Sequence, residues 1–169
     1  RCRKQKRVTV DAVRGKNLVV DAYNCLIITE YCLAGGVVMQ SDDGVLRDIQ
    51  GLFGAYRMSE HTKPALALLA DAVAKAKPQS VFIIFDAKMR HAERVRTLWL
   101  EQMKERSQCV QARCVQNADK AIRTQKSPDA VIASADRRTM DAVGRIFDLP
   151  AAAASAIPGF EPIVMTDAS

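Results

Sequence analysis

The chain has 169 residues, of which 49% are hydrophobic, 26% charged and 5% aromatic. That length is one domain by default and buries about two-thirds of the surface its unfolded form exposes, and the apolar content excludes wholesale disorder. No apolar run approaches the ~20 residues that span a bilayer, and 25 Lys and Arg against 19 Asp and Glu leave a net charge of +6, which suits a polyanionic partner.

Residues 1–16 read as a basic arm, with seven bases against Asp11 and a short strand at Val8–Val10. Asn17–Val20 is an apolar run of buried-strand type, and Asp21 follows it. Tyr23–Leu33 reads as a helix stopped by Gly35-Gly36, and Val37–Met39 as a short strand. Ser41-Asp42-Asp43-Gly44 is turn chemistry and a helix start. Val45–Tyr56 then carries Leu46, Ile49, Leu52 and Phe53 at helical spacing.

The next helix has Pro64 near its first turn and Leu66, Leu69, Ala70 and Val73 as its apolar stripe, and Pro78 ends it. Val81–Phe85 is apolar throughout, as a strand covered on both faces should be, and Asp86 follows. Residues 90–106 read as an amphipathic helix with Val95, Leu98, Trp99 and Met103 inward. Cys109–Val115 is a weaker strand, 117–125 a short helix and Ser127-Pro128 a turn. Ala130–Ala135 is another apolar strand, ended by Asp136, and 137–149 returns to helical spacing with Met140, Val143 and Phe147. The Ala- and Pro-containing tail 150–169, without Lys or Arg, is expected outside the core.

Alternating strands and helices predict a three-layer α/β/α sandwich around a mainly parallel sheet. The five cysteines (Cys2, Cys25, Cys32, Cys109 and Cys114) include no CxxC, and with only His61 and His91 they lack zinc-site spacing. Free thiols in a reducing, intracellular compartment are the plain reading. The chain starts at Arg1 rather than Met, as a fragment or processed form does.

Three apolar strands each end in an aspartate: Asp21, Asp86 and Asp136. If those strands are neighbours, the carboxylates converge on the sheet edge where α/β proteins bind ligands. Two bare carboxylates about 4 Å apart repel by roughly 4 kcal/mol at an effective dielectric near 20. A shifted pKa, basic neighbours or a bound cation must relieve that. Oxygen ligands without histidine or thiol favour Mg²⁺ or Mn²⁺, held by Asp21, Asp86 and Asp136. Asp119 opens a helix and adds a supporting ligand, and Asn24 sits three residues after Asp21. The bland alternative for every one of these is helix capping. Asp42, Asp43 and Asp48 read first as surface or capping groups, and Arg47 pairs with one of them or touches a phosphate. Arg90, Arg94 and Arg96 either face solvent or follow an RNA backbone, while Tyr23 and Trp99 read as packing.

Leu18-Val19-Val20-Asp21-Ala22-Tyr23-Asn24 resembles the first strand and "DGYN" signature of PIN-like and NYN-type nuclease domains. Asp42 through Gly54, the Phe82–Asp86 strand, Asn117-Ala118-Asp119, Ile132–Asp136 and Arg145–Leu149 resemble the DUF434/DUF5616 group of that superfamily more closely. The resemblance covers roughly residues 8–149. It implies a PIN-like domain over 17–149 with a Mg²⁺- or Mn²⁺-dependent ribonuclease site, in which Asp21, Asp86, Asp119 and Asp136 match the acidic positions and Asn24 the signature Asn. Asp43 and Asp48 match the group's own acidic stretch. Ala22 replaces the usual Gly, and Ala135 the Ser or Thr beside the last Asp.

Two functions are therefore expected. One is hydrolysis of RNA phosphodiester bonds at the aspartate cluster. The other is a catalytically weak or inactive RNA-binding or scaffold subunit of a ribonucleoprotein, such as a ribosome or its assembly complex, held through the arm and the tail.

Overall fold

The computed structural model describes residues 2–48, 56–106, 108–125 and 127–164. Six parallel strands form the central sheet, in the order β1 (Arg7–Val8), β8 (Ile146–Phe147), β7 (Ala130–Ala133), β2 (Asn17–Asp21), β5 (Ser80–Asp86) and β6 (Val110–Val115). Adjacent residues of a strand point to opposite faces, so a strand covered on both sides is apolar at every position. Leu18, Val20, Ile83 and Phe85 pack under α3 (Thr62–Ala76) and α4 (Ala92–Glu105). Val19, Ile84 and Ile132 pack under α5 (Ala118–Arg123) and α6 (Arg137–Ala142). The result is an α/β fold with helices on both faces of an all-parallel sheet. Among the described residues no helix is long and apolar enough to cross a membrane.

From β2 the chain winds outward through β5 and β6, then returns across the sheet to β7 and β8 on the other side. The strand order reverses at β2, and a crevice opens at such a reversal, beyond the C-terminal ends of the strands. Asp21 is the last residue of β2 and precedes α2 (Ala22–Leu33), which is buried almost all round. Tyr23 stacks edge-on against Tyr56 and Phe85, and Phe85 against Trp99, so both residues are packing groups.

Four expectations change. Leu46–Asp48 is a strand, β4, not the start of a helix. It pairs antiparallel with β3 (Val38–Gln40) across the Ser41–Gly44 turn, where Gly44 takes a left-handed φ of 80°. A three-residue loop ending in a left-handed glycine is common hairpin chemistry, and it overrides the helical spacing of the apolar residues. Residues 49–55 of the expected helix lie outside the described residues. Ile146 and Phe147 form a strand because Val143 is extended and the two side chains enter opposite cores. The start of the expected tail is core. Leu149–Ala154 forms α7 against α2 and α3, with Leu149, Ala153 and Ala154 buried, and its alanines allow that close approach. β9 (Ile163–Val164) then joins β3 in a small second sheet.

The basic arm is likewise built in. Besides β1 it forms α1 (Arg3–Lys6), where Arg3 pairs with Asp141 and the Lys6 ammonium donates to the carbonyls of Met140 and Asp141.

Candidate functional site

The site begins with Asp21, which is only 6% exposed at the end of β2. Parallel register sets Val19 beside Ile132 and Val20 beside Ala133. Two residues further on, Ser134 lies on the same face as Asp21. Its hydroxyl donates to Asp21 Oδ2 at 2.8 Å and accepts the Asp136 N–H at 3.1 Å. One serine thus links the two acids that end β2 and follow β7. The resemblance expects a hydroxyl at 135, where Ala135 stands, whereas the hydroxyl that meets Asp21 belongs to Ser134. The strand alternation Ile132, Ser134 was the available signal.

Asp136 also caps α6, accepting the Thr139 N–H at 2.7 Å on Oδ2. Capping and site membership therefore coexist in one carboxylate. Asp119 lies exposed in the first turn of α5, whose cap is Asn117. Asp119, Asp136 and Asn24 together line a cleft of about 560 Å³, with Arg47, Arg137 and Arg138 on its rim. Burial pushes the Asp21 carboxyl up to about 7. The Ser134 hydroxyl opposes that shift, and the charges of Asp119 and Asp136 add to it.

Asp86 ends β5 on the same sheet edge and, like Asp21, is not among the residues lining this cleft. Its Oδ1 accepts the Lys88 N–H at 2.9 Å, a local turn contact. Asp43 is buried and belongs to the hairpin, where Arg47 grips both its oxygens at 2.9 and 2.7 Å. Burial alone would raise its pKa, but the Arg47 hydrogen bonds and the Val45 N–H hold it below the usual carboxylate range. Arg47 also donates from Nε to the Ala135 carbonyl, fastening the hairpin to the β7–α6 junction. Asp48 closes β4 opposite Val38, and Asp42 is exposed in the turn. Arg96 pairs with Glu93, whereas Arg90 and Arg94 line a second cleft near the starts of α3 and α4.

Asp21, Asp119, Asp136 and Asn24 would offer a hard cation oxygen donors only. Among the described residues no three His, Cys, Asp or Glu side chains are grouped closely enough to form a cage for a metal ion. Mg²⁺ does not need a cage: it keeps several waters and binds through one or two carboxylates and a substrate phosphate. A carboxyl raised first by burial and then by two acidic neighbours fits such a cation, because a bound positive charge offsets both effects.

A family model described as a domain of unknown function (DUF5616) matches residues 10–152. The uncharacterized protein MJ0935 of Methanocaldococcus jannaschii is 26% identical over 133 residues, which make up 79% of this chain and 62% of that relative. The chain thus spans less than two-thirds of the relative's length. No solved structure matches it.

Proposed function

The chain belongs to the DUF5616 family, and we propose that it is a PIN-like, divalent-cation-dependent ribonuclease hydrolysing RNA phosphodiester bonds at the cleft around Asp21, Asp119 and Asp136. One observation carries the reading. A buried carboxyl stands where the strand order reverses, beside a cleft that two further acids and the exposed Arg137 and Arg138 line. Burying a carboxyl beside other acids costs a fold stability, whereas a phosphodiester and its cation use both the acids and the exposed arginines.

Asp21 and Asp136 would hold Mg²⁺ or Mn²⁺, with Asp119 supporting. The cation, when bound, supplies Lewis-acid stabilisation of the phosphate's developing charge. Ser134 orients Asp21 and fixes the backbone at Asp136. Arg137 and Arg138, exposed at the cleft, place the phosphate. Asp119, the most exposed of the acids, is placed to hold the attacking water and take its proton.

Purified protein is expected to cleave single-stranded RNA in Mn²⁺ or Mg²⁺ and to stop in EDTA. Cleavage that persists unchanged in EDTA would overturn the reading. Ser134→Ala should lower cleavage about 10- to 100-fold, the usual cost of losing a group that orients a metal ligand. A rate within twofold of the parent would remove Ser134 from the site.

The second reading, a non-catalytic RNA-binding scaffold, is favoured by the lack, among the described residues, of any group of three potential metal ligands. It predicts tight RNA binding with no turnover in either metal.

A further inference from the structure

The cleft between the starts of α3 and α4 has a volume of about 480 Å³ and is lined by Arg57, Lys63, Arg90 and Arg94, with His91 beside them and Glu60 as the one carboxylate among the described residues that line it. All four cations are exposed, and among the described residues none of them makes an ion pair. That separates them from Arg47, Arg96 and Arg106, each of which is held by an acid. Four free cations facing one carboxylate repel one another, and a bound polyanion relieves them.

The position of the cleft follows from topology. α4 starts just after β5 ends, and α3 starts at the same edge because it runs back toward the beginning of β5. The basic cleft therefore opens at the C-terminal edge of the sheet on the α3/α4 face, and the acidic cleft at the same edge on the α5/α6 face. Asp86, the last residue of β5, shares that C-terminal edge. Beside the basic cleft lies a hollow of about 300 Å³ that shares Arg57 and Ser59 with it and is lined by Tyr31 and Tyr56, with Glu30 at its wall. Cations followed by half-buried aromatic faces suit phosphates followed by bases.

We infer that this cleft is a binding site for the backbone of single-stranded RNA, which crosses the end of the sheet from Arg90 and Arg94 to reach the acids on the other face. The inference rests on the ribonuclease reading for the destination of the strand, and it adds Arg57 and Lys63 to the contacts. Each phosphate neutralised on a single strand contributes about 0.7 to the slope of log affinity against log salt.

The test is fluorescence anisotropy of the full chain with a fluorescein-labelled single-stranded RNA 15-mer in EDTA, where no cleavage intervenes. Arg90→Ala/Arg94→Ala is expected to weaken binding at least tenfold and to lower the salt slope by about 1.4. Arg57→Ala/Lys63→Ala should do the same. Arg113→Ala/Arg145→Ala removes equal charge elsewhere on the surface and should change affinity less than twofold. The inference is overturned if the cleft variants match that control, if the parent binds no RNA, or if AMP competes at the affinity of the 15-mer, which would make the cleft a small-ligand site. Loss of binding in the cleft variants, with no cleavage by the parent in Mn²⁺, upholds the inference and defeats the nuclease reading. Cleavage by the parent, with cleft variants that bind and cleave normally, does the reverse.

Discussion

Asp21→Asn is expected to abolish RNA cleavage while making the protein more stable at neutral and alkaline pH. The activity loss should exceed about a hundredfold, because groups that merely orient a metal ligand already cost 10- to 100-fold. The stability gain follows from burial. The Asp21 carboxyl titrates near 7 in the folded chain against an ordinary value of 3.8. The native state therefore binds a proton that the unfolded chain has released. A group raised in this way contributes its full stability below pH ~4 and loses it as pH rises through about 7, a change on the order of 4 kcal/mol. Asparagine does not ionise and keeps an oxygen that can accept the Ser134 hydroxyl.

Urea unfolding in metal-free buffer at pH 4.5, 6 and 8 checks this. The parent should weaken across the series and the variant should stay nearly flat, crossing above the parent before pH 8. Adding Mg²⁺ at pH 8 should restore part of the parent's stability and none of the variant's, since a ligand stabilises only the state that binds it. Parallel pH profiles for the two proteins would mean that Asp21 is solvated, and the site's electrostatic basis would fall with that result.

The sheet was legible in the sequence because doubly covered strands are apolar at every position, and Val81–Phe85 can be little else. Asp21 and Asp136 were legible because they follow such strands directly. What escaped detection depended on pairing. Ser134 becomes a site residue only when β7 lies beside β2 in a particular register. The β3–β4 hairpin was hidden because Leu46 fits a helical stripe as well as a strand, and the decision rests with Gly44 and the turn before it. Phe147 likewise fits a helical face until Ile146 pairs with β7. Asp86 also accepts the Lys88 N–H, a local turn contact that no periodicity records. Local pattern thus located the edge where chemistry is expected, and tertiary register decided which side chains meet there.

Arg47→Ala should be the most destabilising single change near the site, at about 3 kcal/mol. Arg47 and Asp43 are 15% and 4% exposed at the side chain, and the guanidinium holds both carboxylate oxygens as well as the Ala135 carbonyl. Removing it leaves a buried carboxylate without its partner, which costs far more than the ~0–1 kcal/mol of a surface pair. Arg47→Lys should recover only part of the loss, because an ammonium lacks the planar fork that meets two oxygens at once. Asp43, held low in the parent, contributes stability that is present above the unfolded value near 3.8 and fades as pH falls through its lower folded value. Without Arg47 that carboxyl protonates more readily, so the penalty of Arg47→Ala should shrink below pH 4. Asp43→Asn/Arg47→Ala should be more stable than Arg47→Ala alone, since the second change removes the stranded charge. A single-variant cost under about 1 kcal/mol at pH 7, unchanged at pH 3, would show the pair to be solvated. The hairpin would then be tied to the β7–α6 junction by its backbone, and Arg47 would be free for the phosphate.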